Sequence, residues 1–185
     1  TAGSTYDGVN VNGEIKVWRW NGNGLKELAS QKWATDYMTE AKSIALNDVN
    51  GDGKVEIIES GIAAAEGSFN NPEGIHDRGE LRVSSYNGTS LVLEESKAWT
   101  FDEGACAWNV GTGDVDNDGV TEIITVGCSA LKGQCDPDMR IWSLTVKQQA
   151  YPNYLPYAIV SLLIFGGTSS IVYVYRRRKQ VRSMK

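Results

Sequence analysis

The nonapeptide DVNGDGKVE, residues 48–56, recurs in altered form as DVDNDGVTE at residues 114–122. In both copies oxygen-bearing side chains occupy positions 1, 3, 5 and 9, the carbonyl at position 7 can add an oxygen, and the glycine at position 6 permits a sharp turn. Ca²⁺ accepts roughly six to eight such hard oxygen ligands, whereas Mg²⁺ favours a smaller octahedral cage that keeps its waters. The pattern therefore predicts two Ca²⁺ sites. The predicted ligands are Asp48, Asn50, Asp52, Lys54 (carbonyl) and Glu56 in the first loop, and Asp114, Asp116, Asp118, Val120 (carbonyl) and Glu122 in the second.

The sequence allows two other interpretations of these loops. An EF-hand needs a bidentate carboxylate at position 12, which is Glu59 after the first loop but Thr125 after the second. The segments that follow, VEIIESG and TEIITVG, are short and β-branched, which favours strands over helices. The second alternative is an acidic turn that holds no metal. Two aligned copies of the motif favour the metal.

The loops are the centre of a longer internal repeat. The segment Gly13–Trp33 aligns without gaps on Gly79–Trp99, at the same offset of 66 residues, and DMRIWSL at 138–144 is a partial third copy. Asn-Gly pairs inside these segments predict tight hairpins. We expect an all-β fold, a partial β-propeller with about two to two and a half copies of a four-stranded antiparallel blade. The predicted strands of the complete copy are 42–48, 55–61, 79–86 and 91–99.

At these residues the chain resembles a known family. DVNGDGKVEII and its twin DVDNDGVTEII are similar to the FG-GAP or VCBS-type repeat of integrin α-subunit propellers and of many microbial surface proteins. The resemblance covers about residues 13–145. It implies a propeller fold and Ca²⁺ at the loop positions named above.

The C-terminal part of the sequence predicts a membrane anchor. Residues 155–175, LPYAIVSLLIFGGTSSIVYVY, carry no charge over 21 residues, and about 20 apolar residues cross a bilayer as a helix. Six basic side chains follow within the last ten residues, a pattern typical of a cytoplasmic flank. A buried core helix and a cytosolic tail-anchored protein are the weaker alternatives. The predicted organisation is a repeat ectodomain at 1–147, a linker at 148–154, a single transmembrane helix at 155–175 and a basic tail at 176–185.

This topology predicts a single-pass plasma-membrane protein with its N-terminal domain outside. Because the chain starts TAGSTYDGVN, without Met or signal peptide, we expect a processed chain or a fragment. The net charge is −5, and the dense basic cluster abuts the apolar segment, so no nucleic-acid surface is predicted. Asn87 begins an Asn-Gly-Thr glycosylation sequon. The cysteines allow a Cys106–Cys128 or a Cys128–Cys135 disulfide, and either pairing leaves one thiol over.

The residues contain no catalytic constellation, because the single histidine lies in a polar loop and the clustered carboxylates belong to the metal loops. We therefore expect a non-enzymatic, membrane-anchored, calcium-stabilised binding or scaffold module. Two alternatives are an accessory subunit of a membrane complex and the C-terminal part of a larger propeller enzyme of the polysaccharide lyase or dehydrogenase type. Partial propellers expose apolar end faces, so we expect a protein partner that completes or flanks the repeats, and a glycan is a further possible ligand. The residues expected at those ends are Ile15, Val17, Trp18, Trp33, Ile141 and Trp142.

Overall fold

The computed structural model describes residues 1–64, 77–100, 104–131 and 134–144, and these residues form an all-β structure, as the sequence predicts. Two compact units divide the chain, Thr1–Val146 and Lys147–Lys185, and the second lies outside the described residues. The strands of the first unit are β1 (Ala2–Tyr6), β2 (Val11–Trp20), β3 (Leu25–Trp33), β4 (Met38–Asn47), β5 (Glu56–Ala64), β6 (Arg78–Tyr86), β7 (Leu91–Trp99), β8 (Gly104–Gly113), β9 (Glu122–Leu131) and β10 (Gln134–Trp142).

The strands fall into three groups, β1–β3, β4–β7 and β8–β10. The first two groups belong to one seven-stranded sheet, within which the four strands of the middle group pair antiparallel in sequence order. The first strand of the middle group begins at Met38 rather than at residue 42. The third group is a three-stranded sheet with β9 in the middle. Strand β1 was not predicted from the sequence. Its pairing with β2 matches the pairing of β5 with β6, because Ser4 faces Gly13 in the first pair and Ile62 faces the equivalent Gly79 in the second.

Strand pairing recurs at the 66-residue offset. Gly13 faces Trp33 across β2 and β3, and Gly79 faces Trp99 across β6 and β7. Each of these hairpins contains an irregularity in register at the equivalent position. A tight hairpin fixes its own register, so matching sequences produce matching pairings.

Neighbouring groups are connected by single parallel bridges, which also recur. Val11 pairs with Met38, and Asp77 pairs with Gly104, again 66 residues further on. None of the sheets in the described part of the chain closes on itself. The same residues include no helix long and apolar enough to cross a membrane. The predicted linker, span and tail at 148–154, 155–175 and 176–185 lie outside the described residues.

The apolar core lies between the middle and third groups. Its buried members come from strands β5, β6 and β9 and from the first acidic loop; they are Val49, Ile58, Leu81, Val83 and Ile123. Trp99 and Trp142 pack against this cluster with ring centroids 5.1 Å apart. The interior therefore depends on contacts between strand groups.

The expectation that Ile15 lies exposed at one end of the strand groups is wrong. Ile15 is 3% exposed, because it packs on the side of β2 that is turned into the protein. Other apolar side chains are exposed there instead, among them Trp20 at 65% and Leu25 at 67%. At the other end Ile141 is 54% exposed, as expected, whereas Trp142 is partly buried against the core cluster, contrary to expectation.

Tryptophan side chains connect each group to the next. The indole N–H of Trp33 donates to Glu80 at 3.1 Å, and the Arg82 guanidinium lies 4.5 Å from the centroid of the same ring. At the next junction Arg140 lies 5.1 Å from the centroid of Trp99. A cation over an indole face contributes about 0.5–2 kcal/mol, depending on how far water is excluded.

A buried carboxyl group lies close to the first junction. Glu59 is 1% exposed, and neither carboxyl oxygen has a hydrogen-bond partner in the described residues. Burial raises the pKa of Glu59 to about 9 from its ordinary value of 4.5, and the charge of Glu80 adds to the rise while Arg82 opposes it. Glu59 is therefore protonated and neutral at pH 7.

The cysteines form the second of the two disulfides considered from the sequence. Cys128 is bonded to Cys135, and Cys106 is a buried free thiol. The other pairing also has a geometric basis, because Cys106 and Cys128 face each other across β8 and β9. The register thus brings the three sulfur atoms close together.

Replacing Gly61 with alanine is expected to destabilise the protein by about 1–3 kcal/mol, the usual effect of overpacking. A Cβ at Gly61 would lie 2.0 Å from the Glu40 carbonyl oxygen, so the β4–β5 pairing must shift. Gly111→Ala is the matched control, because a Cβ there meets nothing within 4 Å. Thermal unfolding of both variants measures the difference. Equal losses would show that the close approach at Gly61 is not a constraint.

Replacing Glu59 with glutamine is expected to flatten the pH dependence of stability. The folded-state pKa of Glu59 is raised, so the folded protein holds a proton that the unfolded chain releases above its ordinary pKa of 4.5. Wild-type stability should therefore fall as the pH rises from about 4.5 to about 9. Denaturant titrations at several pH values test this, with exposed Glu95→Gln as the control. An unchanged slope in the Glu59 variant would contradict the assignment.

Candidate metal centre

The two acidic loops connect consecutive antiparallel strands, β4 to β5 and β8 to β9. Both need left-handed backbone at the same two places. Gly51 and Gly53 have φ of 72° and 85°, and Asn117 and Gly119 have φ of 63° and 88°. Glycine adopts this region without a steric cost, and asparagine tolerates it better than most residues. The motif therefore encodes the loop shape as well as its charge.

The first aspartate of the first loop organises the backbone around it. Asp48 Oδ1 accepts hydrogen bonds from the N–H groups of Gly51 (2.8 Å) and Asp52 (3.1 Å), and Oδ2 accepts one from Gly53 (2.9 Å). Asn50 Oδ1 also accepts the Asp52 N–H, at 2.9 Å. These bonds curl the chain around the Asp48 carboxylate.

The second loop repeats this arrangement. Asp114 Oδ1 accepts the N–H of Asp118 at 3.1 Å, and Oδ2 accepts that of Gly119 at 2.9 Å. Asp116 Oδ1 accepts the Asp118 N–H at 3.2 Å. Both loops have one further hydrogen bond at position 7. The N–H of Val120 donates to Asp118 Oδ1 at 2.8 Å, and the N–H of the equivalent Lys54 donates to Asp52 Oδ1.

A buried glutamate closes each loop from the strand that follows it. Glu56 is 1% exposed and Glu122 is 6% exposed. Their Oε2 atoms accept the N–H groups of Val49 (3.1 Å) and Val115 (3.0 Å). In the first loop the second oxygen, Glu56 Oε1, is buried without a hydrogen-bond partner in the described residues. A buried acceptor without a partner costs free energy, so this atom suits a metal ligand.

In the first loop, the pKa of Glu56 is shifted in the direction expected for carboxylates held close together. Burial raises the pKa of Glu56, the Val49 N–H opposes the rise, and the charges of Asp52 and Asp48 add to it. A divalent cation among these groups would reverse the effect, because it favours the ionised form of every carboxylate around it.

Three carboxyl groups converge in the second loop. Asp114, Asp116 and Glu122 each offer an oxygen, and these oxygens all lie within 4.8 Å of one another. The first loop has the neutral Asn50 where the second has Asp116. In addition, Lys54 Nζ lies 3.5 Å from Asp52 Oδ2. The second loop therefore carries more negative charge and has no lysine inside it.

The structure brings the ten predicted ligand residues into two loops of one kind. In the second loop the carboxylates of positions 1, 3 and 9 converge, whereas the first loop has the amide of Asn50 at position 3. The EF-hand alternative is wrong, because strands β4, β5, β8 and β9 flank the loops. Glu59, which would be its position 12 ligand, is buried in β5 instead. Sequence reasoning missed the hydrogen bond by which the N–H at position 2 anchors the glutamate at position 9, because no residue type or spacing signals it.

Asn87, the predicted glycosylation residue, lies in the exposed turn between β6 and β7. Its Oδ1 accepts the N–H groups of Thr89 (3.0 Å) and Ser90 (2.9 Å), and its Nδ2 donates to the Ser90 hydroxyl (3.2 Å). Asn87 therefore shapes the turn as well as presenting an amide nitrogen at the surface. The only histidine of the sequence, His76, lies outside the described residues.

No protein-family model matches this chain, and none of the curated proteins matches its sequence. The resemblance to FG-GAP and VCBS repeats therefore rests on the residues of the two loops and on their common offset.

We predict that the second loop binds Ca²⁺ more tightly than the first, because it has one more carboxylate and no competing lysine. Asp118→Ala should reduce total calcium affinity more than Asp52→Ala does, as measured by calorimetry on the full chain. Asp136→Ala, an exposed acid outside both loops, is the control and should change nothing. The reverse order of Asp52→Ala and Asp118→Ala would refute charge as the deciding factor.

Proposed function

We propose that residues 1–147 form a calcium-stabilised binding or scaffold module of the FG-GAP or VCBS type, built as part of a β-propeller. The observation that carries the proposal is the convergence of Asp114, Asp116 and Glu122 in a loop whose backbone is already curled around Asp114. Its twin 66 residues earlier has the same side chain-to-backbone bonds at equivalent positions. Hard oxygen donors at this spacing suit Ca²⁺.

The role proposed for calcium is structural. Each loop connects two strands that belong to the core of the domain, and Val49 of the first loop is itself 1% exposed. Carboxylates held this close repel one another without a cation. Calcium would remove that repulsion and hold the ends of β4, β5, β8 and β9 in place. The module is proposed to bind rather than to catalyse, because its clustered carboxylates are those of the two loops.

The location proposed for the module is the outer face of a plasma membrane, with the chain crossing once. Support comes from the uncharged 21-residue segment 155–175 and the six basic residues behind it. The Cys128–Cys135 disulfide is consistent with an oxidising compartment. Asn87, in an exposed turn, would then be open to glycosylation.

The partners proposed for the module are a protein that completes or flanks the strand groups, and a glycan. Exposed apolar side chains at both ends favour the protein, because Trp20, Leu25 and Ile141 are each more than half exposed. An accessory subunit of a membrane complex is the second candidate function. Gly166, Gly167, Ser169 and Ser170 in the apolar segment favour it, since small residues let helices approach closely.

Calcium is expected to raise the melting temperature of the full chain in detergent, and a chelator to lower it. A ligand that binds only the folded state adds about 2.7 kcal/mol per site at a hundredfold excess over its dissociation constant. The double variant Asp48→Ala/Asp114→Ala should melt at one temperature with or without calcium. Magnesium at equal concentration serves as the ion control. A wild-type melting temperature that does not change when the chelator is added would contradict the structural role of calcium.

Affinity isolation of the tagged full chain from membranes, in mild detergent, separates the candidate partners. A membrane protein recovered at constant stoichiometry would support the accessory subunit. Retention on a glycan array, with calcium dependence that the Asp48→Ala/Asp114→Ala variant loses, would support adhesion. Recovery of the chain alone, with no glycan retained, would contradict both.

A further inference from the structure

The three-stranded sheet places all three cysteines on one face. Cys128 lies on the middle strand β9 and faces Cys106 on β8. On the other side Cys128 faces Pro137 of β10, and Cys135, two residues earlier, faces Ala130. Residues two apart on a strand point to the same side of a sheet, so Cys135 reaches Cys128 diagonally. Cys128 can therefore bond to a neighbour on either side.

The distances suit both bonds. A disulfide needs Cα atoms about 4.4–6.8 Å apart, and Cys128 and Cys135 are 5.5 Å apart. Directly opposed residues of an antiparallel pair have Cα atoms about 4.5–5.5 Å apart, which puts Cys106 and Cys128 in the same range. The free sulfur of Cys106 lies 2.8 Å from the Cys128 sulfur. Both pairs therefore meet the separation that a disulfide needs.

We propose that the disulfide migrates within the folded sheet and makes Cys135 a site of covalent modification. The Cys106 thiolate attacks Cys128 Sγ, the Cys106–Cys128 bond forms, the Cys128–Cys135 bond breaks, and Cys135 leaves as the thiolate. The proton lost by Cys106 is balanced by the one that Cys135 takes up. One disulfide and one thiol are present before and after, so the step needs no oxidant or reductant.

Migration changes which thiol meets the solvent. Cys106 is 5% exposed, whereas Cys135 is an exposed residue near the start of β10, the edge strand of its sheet. Reagents in solution do not reach a buried thiol, whereas an exposed one reacts with soft electrophiles and with disulfides of other molecules. The reagents that fit Cys135 are therefore an electrophile or a disulfide-bearing partner.

The surroundings of Cys106 control how fast this happens. Burial is the main cause that raises the pKa of the Cys106 thiol, and the carboxylates of Asp77 and Asp138 raise it further, while Lys42 opposes them. The thiolate is the attacking species, so migration is slow at neutral pH and becomes faster as the pH rises.

The test is to incubate the folded full chain, without reductant, with N-ethylmaleimide at pH 7 and pH 8.5. Acid quenching, pepsin digestion at low pH and mass spectrometry then locate the label and the disulfide. We expect label on Cys135, together with a Cys106–Cys128 linked peptide, and more of both at the higher pH. Label on Cys106 with Cys128–Cys135 intact, or no label on the folded chain, would overturn the proposal.

Two variants isolate the exchange step. Cys106→Ala removes the attacking thiol, so Cys135 labelling should fall to background, and persistent labelling would overturn the proposal. Cys135→Ser keeps the other two cysteines and should carry a Cys106–Cys128 disulfide with no free thiol. Two free thiols in that variant would show that the opposed pair cannot bond. Wild-type disulfide mapping decides the matter even if either variant fails to fold.

Discussion

Hydrogen bonds from loop N–H groups to the carboxylates of Asp48 and Asp114 determine the shape of both acidic loops and the start of the strands that follow them. They fix a backbone that alternates between ordinary and left-handed conformations. This curl turns the loop carboxylates toward one another and places Val49 in the core. It also sets where β5 begins, since Glu56 must reach back to the Val49 N–H. The geometry of the candidate metal site and the strand pairing thus share one local cause.

Contacts between strand groups then build a domain out of hairpins that could not be stable alone. A two-stranded hairpin is marginal in water, and the main apolar cluster forms where the middle and third groups meet. Close backbone approach contributes as well, because Gly61 and Gly127 leave no room for a Cβ beside the strand they face. Trp33 and Trp99 add an indole ring over a cationic side chain at each junction.

Local features of the fold could be predicted from the sequence, because they depend on nearby residues. The acidic loops, the Asn-Gly turns and the two repeated hairpins belong to this class. Strand β1 could not be predicted, because AGSTY has no strong pattern and is fixed by pairing with β2. The choice of Cys135 over Cys106 as the partner of Cys128 could not be predicted either, since the register admits both.

The burial of acidic side chains could not be predicted from the sequence either, because it depends on strands distant in the chain. Glu59 has the sequence pattern of a surface carboxylate in a strand, yet neighbouring strands cover it completely and leave it protonated. Of the candidate site, the residue types and their spacing were visible in the sequence. The unpartnered oxygen of Glu56 was not, because it depends on how tightly the folded loop excludes other donors.

The most direct test of this account is a count of bound calcium. Equilibrium dialysis of the full chain at saturating calcium, with metal quantified against protein, should give two Ca²⁺ per wild-type chain. Either single variant, Asp48→Ala or Asp114→Ala, should give one. Absence of bound calcium on a correctly folded wild-type chain would contradict the assignment of both loops.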